Sequence, residues 1–250
     1  MSDGFFLAPL AGAVAVGDEV TLDGPEGHHA SVVRRLRVGE QVTLSSGRGS
    51  GVRGPVTSVT RGAVTVRVEQ VLVEPVPQTR FVCVQALPKN DRAELAVDLL
   101  TELGVDEIVP WQASRSVVRW DGERGEKSRA KWATVAREAS KQARRLTVPV
   151  VSPLASTRAV AARLESAAAA YVLHESASAP LVRVTPPAGE VVFVIGPEGG
   201  VSPDELAVFG AAGGVPVVMG TTVLRTSTAG ATALTILRTL AELRQDAAAG

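Results

Sequence analysis

The stretch VVFVIGPEGGVSPDELAVF, residues 191–209, decides the fold class. Val191 to Ile195 form an unbroken apolar run, the pattern of a strand buried on both faces. Gly196-Pro197-Glu198-Gly199-Gly200 breaks that run. Ser202 then offers an N-cap, Pro203 sits at the first helical position, and Glu205 completes a capping box. A buried strand turning directly into a capped helix is the repeating unit of an α/β domain with a mainly parallel sheet.

The same alternation extends in both directions. FVCVQAL reads as a buried strand, and RAELAVDLLTELG as an amphipathic helix ending at Gly104, a C′ glycine. VDEIVPW is another strand and SRAKWATVAREASKQARRL a longer helix. AAAAYVLHE and GVPVVMG are strands, and TAGATALTILRTLAELRQ is a final helix, with the tail DAAAG expected to fray. Residues 1–73 follow a different period. GEQVTLSSGRG and GAVTVRVEQVLV alternate apolar and polar residues between Gly-rich turns, which predicts a small, barrel-like β domain. Its one helical candidate is GPEGHHASVVRRLRV, where Val32, Val33 and Leu36 have helical spacing. EPVPQT, residues 74–79, is read as a linker, leaving residues 80–250 as the α/β domain.

Composition narrows the functional class. The 250 residues are 45% hydrophobic and 21% charged, which argues against disorder. One cysteine excludes an intramolecular disulfide framework and a thiolate-rich zinc site, and the three histidines show no metal-ligand spacing, so no metal is expected. No apolar run approaches a membrane span and the N-terminus is not a secretory signal, so a cytoplasmic protein without membrane attachment is expected. The net charge is zero, with 26 Lys+Arg against 26 Asp+Glu. The sum hides a segregation. Arg34, Arg35, Arg37, Arg48, Arg53, Arg61 and Arg67 face only Glu40 within residues 28–67, and residues 111–147 are again basic, while acids gather beyond residue 186. Nearly all the cations are arginine, the residue suited to phosphate and base contacts.

Chemistry concentrates at three strand ends. A glycine-rich strand-to-helix turn usually suggests phosphate binding, but Glu198, Asp204 and Glu205 crowd this helix start and oppose an anion. The spacing is not G-x-G-x-x-G, and a Walker lysine is absent. Exposed backbone beside a carboxylate suits a neutral or cationic ligand, and S-adenosylmethionine (SAM) has that character. In VVMGTTVLRTSTAGATALTIL, Arg225 is the one charge of a neutral loop, either a surface cation or a site residue, and Thr226 or Ser227 is placed to cap the next helix. His174, at a strand end, is either a surface histidine or an acid/base group.

GPEGG, a capped helix and then MG…VLRTSTAG together resemble the SPOUT class of methyltransferases, and within it the RsmE family. His28-His29 followed by VVRRLRVGE is similar to that family's PUA-like RNA-binding segment. TELGV at 101–105, Arg115-Ser116, Lys131-Trp132, Glu138-Ala139, Gln142, Arg144 and Leu173-His174-Glu175 follow in the family's order, and the likeness spans nearly the whole chain. It implies a PUA-like β-barrel (1–73) joined to a SPOUT domain with a C-terminal trefoil knot. It also implies a homodimer and SAM-dependent methylation of uracil N3 in 16S ribosomal RNA of the small subunit.

Carried over position by position, the cofactor pocket is built from Leu173, His174, Gly196, Pro197, Glu198, Gly199, Gly200, Met219, Gly220, Val223, Leu224 and Thr226. RNA contacts fall to His29, Arg34, Arg35, Arg37, Arg53, Lys89, Arg115, Gln142 and Arg144. Arg225 is the candidate catalytic group, stabilising charge that develops on the uracil ring. Solvent, His174 and Glu198 all remain candidates for accepting the N3 proton. Two positions depart from the family pattern: Ser227 stands where many members carry Glu, and Leu99 where a Lys is usual. Methylation of another RNA, such as a tRNA ribose 2′-OH, and RNA binding without catalysis are the competing functions.

Overall fold

Apolar runs long enough to be buried on both faces need helices on either side, and chain beyond Pro77 supplies them. The computed structural model describes residues 3–10, 12–89 and 92–249, without the side chains of 248 and 249. Two compact units emerge, one of residues up to Val76 together with Ser140–Val148, the other of Pro77–Ala139 and the chain from Pro149 onward.

The first unit contains β1 (Gly4–Leu7), β2 (Glu19–Leu22), α1 (Gly24–His28), β3 (Gln41–Ser45), β4 (Ser50–Thr60), β5 (Ala63–Arg67) and β6 (Gln70–Val73). Its sheet runs β1-β3-β4-β5-β2, with β6 also on β4, and only the β1–β3 pair is parallel. The first part of β4, up to Pro55, pairs with β3 and β6, and from Val56 onward, with an irregularity between Val56 and Ser58, it pairs with β5. Such a bulge bends the strand, so one strand serves both parts of a curved sheet. A Cβ on Gly54 would lie 1.8 Å from the Arg67 carbonyl oxygen, so only glycine permits that approach. Phe6, Leu22, Val42, Leu44, Val52, Val56, Val64 and Val66 form the core.

The helical candidate departs from its expected form. After α1 the chain makes a π-helical turn over His29–Val33, and Arg35 adopts φ 53°. A π turn carries more residues than an α turn, so the 3.6-residue spacing does not hold. Ala30 and Leu36 are buried, while Val32 and Val33 are 40% and 62% exposed.

Residues 140–148 also depart from the expected division, in which everything beyond residue 79 belongs together. Glu74 accepts the Leu146 amide (2.8 Å) and the Thr147 hydroxyl (2.5 Å). Ser45 Oγ donates to the Leu146 carbonyl at 2.9 Å. Lys141 and Glu26 form a nearly buried ion pair at 3.0 Å. Helical periodicity reports local conformation and carries no information about this partner.

The second unit contains β7 (Thr79–Ala86), α2 (Arg92–Glu102), β8 (Glu107–Trp111), α3 (Gly122–Gln142), β9 (Val150–Val151), α4 (Thr157–Ser166), β10 (Ala169–Leu173), β11 (Gly189–Ile195), α5 (Pro203–Ala211), β12 (Gly214–Val217) and α6 (Thr226–Ala249). The last three residues of α3 fall within residues 140–148. All pairs in the sheet β12-β10-β11-β7-β8-β9 are parallel. Alternate residues enter two cores. Phe81, Cys83, Phe193 and Ile195 pack with Leu100, Trp132 and Leu234. Val82, Val84, Val192 and Val194 pack with Leu164 and Phe209. The middle stretches of the central strands are therefore apolar on both faces. The sequence pattern missed β9 and α4, and α6 continues through Ala249 where fraying was expected.

TELGV ends α2 in a Schellman motif. The Gly104 amide donates to Thr101 O and the Val105 amide to Leu100 O, both at 3.0 Å. Gly104 has φ +89°, and a Cβ there would sit 1.8 Å from Arg238 Nη1, which donates to the carbonyls of Leu103 and Gly104.

At the N-terminal edge of the sheet, Glu107 and Glu190 share Arg80 and Arg163 at 2.5 to 2.9 Å. Ser152 Oγ adds a 2.6 Å bond to Glu107. Burial alone raises the Glu107 pKa, but the Ser152 hydroxyl, Arg80 and Arg163 outweigh it and hold the carboxyl below its ordinary range. A lowered folded-state value means the contribution is complete above the unfolded pKa and is lost as pH falls through the folded one. Glu107→Gln should lower the unfolding free energy by about 1–3 kcal/mol at pH 7, and the deficit should shrink below about pH 4. Urea unfolding of both proteins from pH 7 to pH 3 checks this, and a pH-independent deficit contradicts it.

Candidate functional site

In a parallel sheet the loops that follow the strands gather at one edge, where such folds bind ligands. The loop after β11 is the GPEGG turn. The Gly200 amide closes it on the Pro197 carbonyl at 2.9 Å, and Gly200 has φ +73°, in the left-handed region that favours glycine. A Cβ on Gly199 would meet Arg115 Cβ at 3.2 Å, and Arg115 Nη1 donates to the Gly199 carbonyl at 3.0 Å.

Glu205 anchors this turn. The capping box with Ser202 is complete in both directions. Glu205 Oε2 accepts the Ser202 amide (3.0 Å) and hydroxyl (2.9 Å), and Oε1 accepts the Ser114 amide (2.7 Å) and the Thr157 hydroxyl (3.3 Å). The residue is 4% exposed. Burial raises its pKa, but the Ser114 and Ser202 donors outweigh burial and hold it below the ordinary range. Of the three acids read as opposing an anion, Glu205 thus points into protein amides and Glu198 Oε1 accepts the Lys89 amide at 3.1 Å, while Asp204 is exposed.

The loop after β12 leads to α6. The Arg225 carbonyl accepts the amides of Thr228 and Ala229, both at 2.9 Å, so Arg225 is itself the N-cap. Thr226 and Ser227, expected as caps, are instead 6% and 3% exposed and face inward. The exposed Arg225 guanidinium has no partner among the described residues. After β10, His174 Nδ1 accepts the Ser176 amide at 3.2 Å. That bond places the proton of a neutral ring on Nε2, so His174 presents a donor there.

These loops enclose a cavity of about 480 Å³. Of the expected cofactor positions, Leu173, His174, Gly196, Pro197, Glu198, Gly199, Gly200, Met219, Val223, Leu224 and Thr226 line it, and Gly220 does not. Arg225 lines it as well. The sequence reading missed Arg92 and Glu175 in the same wall. Arg92 opens α2, which follows β7 at the same edge, and the parallel order was its only available signal. The volume lies within the roughly 300–1,000 Å³ usual for small-molecule sites. Glycine-bearing turns, the apolar Leu173, Met219 and Leu224, and carboxylates in the wall fit a nucleoside with a cationic side group.

The expected RNA contacts are dispersed among different environments. Arg34, Arg35, Arg37, Gln142 and Arg144 are exposed in the first unit. Arg53 pairs with Asp3 at 2.7 Å, and the His29 ring meets Phe6 edge-on at 6.1 Å. In the second unit, exposed Lys89 holds Glu198 through its amide, and Arg115 braces the glycine turn. Among the described residues no group of His, Cys, Asp and Glu is arranged to hold a metal, and no helix is long and apolar enough to cross a membrane.

An RNA methyltransferase domain model matches residues 74–238, and an RNA methyltransferase PUA domain model matches residues 22–69. The chain belongs to the RsmE family of RNA methyltransferases. This RsmE-family chain is 45% identical over 231 residues to the ribosomal RNA small subunit methyltransferase E of Mycobacterium bovis, covering 90% of this chain and 86% of the relative. The crystal structure of the ribosomal RNA small subunit methyltransferase E of Neisseria gonorrhoeae, bound to SAM, is similar at TM-score 0.83 and 26% identity, over 96% of this chain and 98% of that one. A SAM-bound methyltransferase of Legionella pneumophila gives TM-score 0.82 and 28% identity over the same shares.

The anchoring role of Glu205 is directly testable. Glu205→Ala leaves the amides of Ser114 and Ser202 without their acceptor and should cost about 1–3 kcal/mol, with Glu205→Gln costing less. Denaturant unfolding of the two variants measures both, and a loss under about 0.5 kcal/mol for Glu205→Ala would contradict the role.

Proposed function

We propose that this RsmE-family protein transfers a methyl group from SAM to N3 of a uridine in 16S ribosomal RNA. The observation that carries the proposal is the cavity formed by GPEGG and the loop into α6, in a chain that matches ribosomal RNA methyltransferases along most of its length. When bound, SAM supplies an electrophilic methyl group on a sulfonium.

The chain's own residues must bind that group, exclude water and favour the uracil anion, since N3 is a poor nucleophile while protonated. Arg225 suits the last task. Arg225 lines the cavity, its guanidinium has no partner among the described residues, its backbone is fixed as the α6 N-cap, and it cannot serve as a base. His174 is a donor at Nε2 and Glu198 is engaged by the Lys89 amide. With Nε2 presented as a donor in His174, we take the N3 proton to leave to water, with the free Glu198 oxygen as the other acceptor in reach. N3 lies on the Watson–Crick edge, so the uridine must be unpaired or extruded. Exposed Arg34, Arg35 and Arg37 of the PUA-like unit are proposed to hold the RNA backbone.

Three finer features belong to the same reading. A trefoil knot is supported by the 179–181 segment, which hydrogen-bonds through Ala179 and Leu181 to Val218 on the path into α6. Homodimeric assembly and a cytoplasmic location rest on the family alone.

Methyl transfer from labelled SAM tests the reaction. Isolated small subunits should be methylated and tRNA should not, and Arg225→Ala should lower kcat by about 10²–10³-fold while SAM affinity stays within about threefold. Methylation of tRNA in preference to small subunits would favour the other substrate class, and unchanged kcat would remove Arg225 from the chemistry.

A further inference from the structure

The cavity wall carries four formal charges, on Arg92, Glu175, Glu198 and Arg225. Its two carboxylates are in different situations. Glu198 Oε1 accepts the Lys89 amide at 3.1 Å, which ties the glycine turn to the segment after β7. Glu175 forms no hydrogen bond or ion pair among the described residues. Its Oε1 lies 3.9 Å from the point a Gly200 Cβ would occupy, so it faces the turn. The nearest cation on that side is Arg115, whose Nη1 is 3.9 Å from the same point and already donates to the Gly199 carbonyl.

We infer that Glu175, rather than Glu198, is the carboxylate that offsets the positive charge of the bound cofactor. The inference rests on the reading of the cavity as a SAM site. SAM carries a sulfonium and an ammonium against one carboxylate, a net positive charge. Arg92 and Arg225 in the same wall repel that charge, so an acid must compensate them. Glu198 already spends part of its charge on the Lys89 amide through Oε1, whereas both Glu175 oxygens are without a partner among the described residues.

The assignment has a consequence for turnover. Methyl transfer forms the N3–CH3 bond as the N3 proton leaves to water, and it breaks the S–CH3 bond, whose bonding pair stays on sulfur. The sulfonium becomes a neutral thioether, and S-adenosylhomocysteine (SAH) carries one positive charge fewer. Attraction to Glu175 therefore falls at the moment of product formation, which favours exchange of SAH for SAM. Glu175 is in this sense a specificity-determining residue for the charged form of the cofactor.

Calorimetric titration of the full-length wild type and Glu175→Gln with SAM and with SAH tests the assignment. Glu175 is exposed and bonds to nothing among the described residues, so the variant keeps its fold. Glu175→Gln should weaken SAM binding about fivefold or more and SAH binding by less than about twofold, and the SAM deficit should shrink as salt is added. Unchanged SAM affinity, or equal losses for both ligands, overturns the inference. So does a SAM-selective loss that appears in Glu198→Gln instead. A wild type that binds neither ligand overturns the SAM reading and this inference with it. A wild type that binds SAM with Glu175→Gln unaltered removes Glu175 alone.

Discussion

The Glu205 carboxylate is the contact on which the functional end of the molecule depends. Its oxygens accept donors from the start of α5, from Ser114 beyond β8 and from Thr157 at the start of α4. Thr157 in turn accepts the Trp111 indole N–H at 3.2 Å. A single buried charge thus joins three connections at one edge of the sheet. The low-dielectric surroundings that make such a charge costly when unpaired make it rigid when every lone pair is used. The GPEGG turn ends two residues before Ser202, so the position of its glycines follows from this contact.

The all-parallel sheet distributes the charges. At the N-terminal edge, Glu107, Glu190, Arg80 and Arg163 neutralise one another in a closed network. At the C-terminal edge, Arg92, Arg225 and Glu175 have no partners among the described residues. Paired charges serve structure at one end, and unpaired charges remain for a ligand at the other. Glu198, read from the sequence as the acid beside a cationic cofactor, is engaged by the Lys89 amide, and that role falls to Glu175 in the proposal above.

Much of this was legible in the chain. Apolar runs at residues 81–84 and 191–195 announced strands covered on both faces, and Ser202-Pro203-Asp204-Glu205 announced a helix start. Gly104 announced a helix end because only a left-handed residue closes a Schellman motif there. The order GPEGG, MG and VLRTSTAG located the cavity wall, and most of its expected residues line it. Tertiary partnership stayed hidden. The helical pattern through residue 146 gave no hint that residues 140–148 pack with the first unit. The π turn at His29–Val33 exposes Val32 and Val33, which helical spacing places on one stripe with Leu36. The fates of Glu198 and His174 depend on amides of Lys89 and Ser176, and backbone donors leave no trace in side-chain identity.

The central claim is that the cavity between the glycine turn and the α6 loop methylates uracil N3 in 16S ribosomal RNA. Nucleoside mass spectrometry of 16S ribosomal RNA from a strain lacking this protein tests it most directly. The account predicts that N3-methyluridine disappears from one position and returns with the wild-type chain. N3-methyluridine at its full level in the deleted strain would contradict it.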